Sequence, residues 1–152
     1  MTDLDLPTRP RLPDLALPAI AGGDPVSLRA HRRAAVLVLL AGALDPADAA
    51  YLGALAAAAP ALAGWDGRVL AVAPDAALGP ALDTLALPFP ALVDADGRVA
   101  AAAGVAAPAL VVADQWGEVH LAATAAEGGG RAWPPVAEVE RWLQFLAVRC
   151  AG

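Results

Sequence analysis

The chain of 152 residues contains no lysine and no asparagine, a single cysteine (Cys150), a single serine (Ser27) and two histidines (His31 and His120). Without lysine there is no P-loop, whose Lys reaches the phosphates, and no Schiff base on a Lys amine. One cysteine cannot close a disulfide within the chain, a usage that points to a cytoplasmic protein. Ser27 sits in a Val-Ser-Leu context with no nucleophile elbow, so serine-hydrolase chemistry has no carrier. Positive charge is scarce: ten arginines face sixteen acids, giving a net charge of −6. That balance leaves no basic stripe to release counterions from nucleic acid. Long apolar runs are missing too. Residues 34–44 make an eleven-residue run, and residues 49–65 are interrupted by Gly53 and Pro60, so no membrane span is expected. The acidic start, Met1-Thr2-Asp3-Leu4-Asp5, has neither the positive nor the apolar segment of a secretory signal.

Alanine supplies more than a quarter of the chain, and the informative pattern lies in the residues between the alanines. Five prolines in the first twenty-five residues make that stretch extended or turned. Within it, Asp14-Leu15-Ala16-Leu17 and Val26-Ser27-Leu28 flank Gly22-Gly23-Asp24 as a short hairpin. The run AVLVLL at 35–40 suits a strand buried on both faces. A helix start follows: Asp45 as N-cap, Pro46 at N1, and Asp48 as a second carboxylate at N3. This helix is expected to end near Ala59, before Pro60. Residues 68–72 form a second buried strand, completing a βαβ unit, and a second helix is expected over 75–85. A strand at 91–93 and the turn Asp94-Ala95-Asp96-Gly97 precede a helical piece at 99–103. Strands at 109–113 and 118–122 flank Asp114-Gln115-Trp116-Gly117 as a hairpin. Gly128-Gly129-Gly130 reads as a plain loop. From Val136 an amphipathic helix places Val139, Trp142, Leu143, Phe145, Leu146 and Cys150 at three- and four-residue spacing. One domain over residues 1–152 is expected, of α/β class.

In this order the elements resemble the thioredoxin-like redoxins, in particular the alkyl hydroperoxide reductase and thiol-specific antioxidant (peroxiredoxin-like) branch. The likeness covers roughly residues 10 to 148. It rests on Leu12-Pro13-Asp14-Leu15-Ala16-Leu17-Pro18 with Gly23 and Val26-Ser27-Leu28, which is similar to that branch's opening hairpin. The stretch from Leu87-Pro88-Phe89-Pro90 through Asp94-Ala95-Asp96-Gly97-Arg98 to Gly104-Val105 is similar to its approach to the last strands. Pro108 stands where the family places a cis-proline facing the active site. The resemblance implies a central mixed β-sheet flanked by helices with an N-terminal β-hairpin, and antioxidant oxidoreductase chemistry. This chain departs from the family where that chemistry would be. The reactive thiol follows the first central strand, as Cys-Pro-x-Cys or as a lone cysteine after Thr-Pro-x. Here Asp45-Pro46-Ala47-Asp48 keeps the proline and puts aspartate at either cysteine position. A helix N-terminus lowers a thiol pKa, whereas a carboxylate there is already ionised and a poor nucleophile toward peroxide or disulfide.

No catalytic residue is therefore assigned, and no metal or cofactor. Asp45 and Asp48 read first as helix caps. The histidines and acids show no ligand spacing, and Asp94 to Gly97 lacks the glutamate a calcium loop needs at Val105. The binding candidates are Asp45, Pro46, Asp48, Ala107 and Pro108, a face suited to a protein or peptide partner because the backbone beside the family's cis-proline docks extended chains. Cys150 is either a small hydrophobe on the last helix or a redox thiol acting across a homodimer. Trp116 and Trp133 are expected to cover a sheet face, and Arg29, Arg32 and Arg33 to form a solvated edge. Two readings follow: a redoxin-like chain that works as a non-catalytic binding or assembly module, or a thiol-dependent oxidoreductase or peroxidase using Cys150 or a partner's cysteine.

Overall fold

The computed structural model describes residues 9–150. Its centre is a five-stranded mixed sheet in the order β5-β4-β3-β6-β7. β3 (Ala34–Leu39), β4 (Gly67–Ala73) and β5 (Ala91–Val93) are parallel, while β6 (Ala109–Ala113) and β7 (Val119–Thr124) run antiparallel to β3 and to each other in turn. Every residue of β3 is buried, and its side chains alternate between two apolar layers. Val36 and Val38 join the layer covered by α1 (Pro46–Gly64) and α4 (Val136–Cys150), through Leu52, Leu55, Leu62, Val139, Leu143 and Leu146. Leu37 and Leu39 face the other layer, closed by Leu12, Leu17, Leu28 and Val99. That second cover is built from α3 (Arg98–Ala103) and from the hairpin of β1 (Ala16–Leu17) and β2 (Val26–Ser27), paired Ala16 to Ser27. The period-2 alternation of a doubly covered strand makes β3 the mechanical centre of the molecule.

Most expected elements are present, and the differences have physical reasons. α1 does not stop before Pro60 but continues to Gly64 with the proline inside it. A proline inside a helix forfeits one backbone hydrogen bond. Leu62, fully buried one turn portion later, gains enough from the core to hold the last turn. The unbroken helix is thus 19 residues long with a mean hydropathy of 1.2, long and apolar enough by those measures to cross a membrane, which corrects the expectation that no segment is. Ten of its residues are alanine, and Tyr51, Leu52, Leu55 and Leu62 pack it against the sheet and α4.

The helix expected over 75–85 is split into a 3₁₀ turn (Ala76–Leu78) and α2 (Gly79–Asp83). The triple glycine is no plain loop: Gly128 and Gly129, at φ of 53° and 84°, are the turn between β8 (Ala126–Glu127) and β9 (Gly130–Arg131). Two consecutive positive φ values are the requirement of a type I′ hairpin turn, which glycine meets without strain. Asp94 caps α3, accepting from the N–H groups of Arg98 and Val99 at 3.1 and 2.8 Å. On α4, Leu143 is fully buried, whereas Phe145 is 51% exposed, packing edge-on against Trp142 with ring centroids 6.0 Å apart. Phe145 therefore leaves the apolar face the spacing suggested. The Cys150 side chain lies outside the described residues.

Replacing Leu143 by Ala is expected to cost about 2–5 kcal/mol, the range for emptying a close-packed core site. Phe145→Ala is expected to cost only about 1 kcal/mol, because its loss is one aromatic pair at the surface. Urea unfolding monitored by circular dichroism checks the contrast, and equal losses would show that α4 presents a different face to the sheet.

Candidate functional site

β3 and β6 end side by side. Leu39 pairs with Ala109, so Leu40 and Pro108 close the ladder at one end of the sheet. The Ala107–Pro108 peptide bond is cis, as the resemblance implies. Leu40 still donates to the Val72 carbonyl at 2.8 Å, after which the chain turns into α1 through Gly42, Ala43 and Leu44. The sequence-predicted residues Asp45, Pro46 and Asp48 are thus placed at this same end of the sheet as Ala107 and Pro108.

The start of α1 is a complete reciprocal cap. Asp45 Oδ1 accepts from the Ala47 N–H at 2.8 Å, and Asp48 Oδ2 accepts from the Asp45 N–H at 3.0 Å. Both carboxylates thereby satisfy donors that a helix start leaves unpaired. Asp48 goes further than capping. It is 1% exposed, and its second oxygen, Oδ1, accepts from Arg131 Nε at 3.1 Å and from Trp133 Nε1 at 2.9 Å. The buried charge is matched by a guanidinium and three hydrogen bonds, the conditions under which an ionised carboxylate can leave water.

The indole of Trp133 stacks on Tyr51, one turn into α1, with centroids 4.9 Å apart and planes 11° from parallel. The Tyr51 hydroxyl is buried without a partner. Burial, and secondarily the charge of Glu138, push its phenol well above the ordinary value near 10. The same hairpin returns to the proline: Ala132 N–H donates to Ala125 O, and Ala125 N–H to Pro108 O. The β8–β9 hairpin thus ties Asp48 to Pro108.

Neither Arg131 nor Tyr51 carries a sequence motif. Trp133 packs against the layer shared by the sheet and α1, stacking on Tyr51, while Trp116 is 55% exposed in the β6–β7 turn. The cavity at this end, between Leu40, Ala73, Asp94 and Ala107, has a volume of only about 70 Å³. Around it Gly42, Ala43, Pro46, Ala47, Ala106 and Ala107 are exposed, a low rim of small residues. α4, about 20 Å long at 1.5 Å per residue, starts three residues after Trp133 and runs toward the other end of the sheet.

One cluster of metal-ligating type exists where no ligand spacing was seen. Asp114, Glu118 and His120 bring one ligand atom each within 4.8 Å of one another. The sequence hid it because β7 folds back on β6 across Gly117. Asp114 Oδ2 is 3.0 Å from His120 Nε2, its Oδ1 accepts from the N–H groups of Trp116 and Glu118 at 2.9 and 3.0 Å, and Glu118 pairs with Arg9 at 3.3 Å. These contacts make the cluster a brace for the β6–β7 turn.

The comparisons with known proteins address the fold. No family model and no curated protein matches the chain. Among solved structures, it is similar to AhpC of Enterococcus faecalis (TM-score 0.73, 20% identity, covering 93% of this chain and 94% of that one). It is likewise similar to an uncharacterized thioredoxin-like protein from Porphyromonas gingivalis (0.66, 23%, 93% and 95%) and to a putative thiol:disulfide interchange protein DsbE from Chlorobium tepidum (0.65, 22%, 94% and 98%). The fold is thioredoxin-like. Within it a chain with one cysteine, at position 150, holds no Cys-x-x-Cys pair.

Asp48→Ala is expected to destabilise the protein by about 2–4 kcal/mol, because it strands the Trp133 indole N–H and a part-buried guanidinium and removes half of the helix cap. Asp45→Ala is expected to cost about 0.5–2 kcal/mol, the worth of a cap alone. Chemical denaturation of both variants tests the ranking. The raised Tyr51 pKa also has a sign: the folded state holds the phenolic proton more tightly than the unfolded one. Its contribution to stability is therefore complete below the unfolded value near 10 and is lost as pH rises above it. Alkaline absorbance titration is expected to show the Tyr51 phenolate forming only above that ordinary range; ionisation near 10 would mean the ring is wet.

Proposed function

We propose that this thioredoxin-like chain is a non-catalytic binding or assembly module that docks a protein or peptide segment on the face formed by the start of α1 and the Ala107–Pro108 bond. One observation carries the reading. The helix start that would activate a thiol holds an aspartate whose two oxygens are committed to Asp45, Arg131 and Trp133. A carboxylate so engaged has no free lone pair aimed at a substrate, and its conjugate acid has no role in attack on peroxide or disulfide sulfur. The rim beside it is made of small exposed residues around a cavity of about 70 Å³. That volume holds one or two waters and no substrate, since ligand pockets begin near 300 Å³. A shallow apolar rim next to the end of a strand pair suits an extended peptide, held by main-chain hydrogen bonds with little demand on side chains.

The alternative, thiol chemistry by Cys150 or by a cysteine of a partner, is disfavoured within one chain by the course of α4 and survives only across two molecules. The cytoplasmic location and the homodimer belong to the same reading as expectations from cysteine usage and family likeness.

The test is a pair of assays, insulin reduction and hydrogen peroxide consumption, on the native protein and on Cys150→Ser. Rates indistinguishable from the protein-free control are expected for both. Turnover by the native protein that Cys150→Ser abolishes would replace this reading with the thiol-dependent one.

A further inference from the structure

A second cavity lies at the other end of the sheet, separated from the first by six-residue β3, about 20 Å long at roughly 3.3 Å per residue. Its volume is about 630 Å³, within the range of sites that hold small organic ligands. Four separate segments wall it: the turn before β3 (His31, Arg32, Arg33), the α1–β4 junction (Trp65, Asp66), the β6–β7 turn and the last turns of α4. The walls are cross-braced. The Arg32 N–H donates to Gln115 Oε1 at 2.9 Å, Ala34 N–H to Asp66 O at 2.9 Å, and Trp65 Nε1 to Glu140 Oε2 at 3.3 Å. The cleft is therefore formed in advance of any ligand.

Two properties of the lining specify its occupant. The first is charge. In a protein of net charge −6, Arg32 and Arg33 are both exposed. Among the described residues neither has a carboxylate within 4 Å. Of the acids nearby, Asp114 bonds His120 and the Trp116 and Glu118 N–H groups, Glu140 bonds Trp65, and Asp66 lies on the same wall, so neither arginine is neutralised by direct contact. The second property is aromatic surface. Trp65 and Trp116, 37% and 55% exposed, both line the cleft. Exposed indoles beside unpaired guanidinium groups offer a flat ring a stacking face and an anion a bidentate donor.

We infer that this cleft is a binding site for a small organic anion that carries an aromatic ring, a phosphate ester or carboxylate whose charge meets Arg32 and Arg33 while its ring lies against Trp65 and Trp116. This site is independent of the peptide-docking face, and each stands or falls without the other.

Phenyl phosphate is the probe, with inorganic phosphate supplying the charge alone and benzyl alcohol the ring alone. Binding to the full-length protein is followed by ¹H–¹⁵N NMR, which resolves the indole N–H signals of the four tryptophans. Saturable shifts at Trp65 and Trp116, with Trp133 unmoved, are expected for phenyl phosphate, at a dissociation constant of roughly 1 mM or below. Each half-probe is expected to bind at least tenfold more weakly. The Arg32→Gly/Arg33→Ser variant removes the charge at little cost to folding, because Arg32 sits at a φ of 59° that glycine adopts freely. It is expected to weaken phenyl phosphate binding at least tenfold with an unchanged far-ultraviolet circular dichroism spectrum. Absence of saturation in the native protein, shifts centred on Trp133, phosphate binding as tight as phenyl phosphate, or a folded double variant that binds within twofold of native would each overturn the assignment.

Discussion

The buried carboxylate of Asp48 is the contact on which the rest of this end of the molecule depends. One oxygen closes the cap of α1 and the other receives a guanidinium from β9 and an indole from the segment before α4. Two pieces of chain distant in sequence, at 45–48 and 131–133, are fixed to one another by a single side chain. Burying that charge is affordable only because every one of these donors is present. The triple glycine gains its purpose here, since a type I′ turn at Gly128 and Gly129 brings Arg131 back toward α1. A side chain that merely capped the helix would have no need of the hairpin.

That arrangement places aspartate at the start of the helix that follows the central strand of a thioredoxin-like fold. In a thioredoxin-like fold the amino end of the helix after the central strand concentrates unpaired N–H groups and a positive dipole end, which favour any anion placed there. A thiolate would exploit this field for reactivity. A carboxylate draws stability from the same field and contributes no nucleophile. The cis Ala107–Pro108 bond and the exposed small residues around it lie at the same end of the sheet. The opposite pole has a contrasting character, with a cleft of about 630 Å³, arginines that have no ion pair among the described residues, and exposed indoles.

Much of this was legible from local rules. The unbroken apolar run of β3, the Asp-Pro-x-Asp helix start and the glycine of the β6–β7 turn, at a φ of 84°, each follow from short-range physical requirements that the sequence states directly. Pro60 misled because a local rule competed with a distant one: the burial of Leu62 outweighs one missing hydrogen bond. Phe145 fits the helical spacing, yet α4 meets the sheet through Val139, Leu143 and Leu146, a choice of face that periodicity narrows without settling. The Asp114, Glu118 and His120 cluster was invisible because strand pairing, not spacing along the chain, brings its members together.

Sequence alone determined the composition limits, the absence of a second cysteine, the order of the five central strands with α1, α3 and α4, and the carboxylates at the head of the first helix. These are properties of single residues and their near neighbours. Only the tertiary structure decided that Asp48 is sealed by Arg131 and Trp133, that the cavity beside Leu40 and Ala107 is about 70 Å³, and that Arg32 and Arg33 open onto a cleft lined by two indoles. Each of those facts depends on distances between segments far apart in the chain, and such distances are set by how the two faces of β3 are covered.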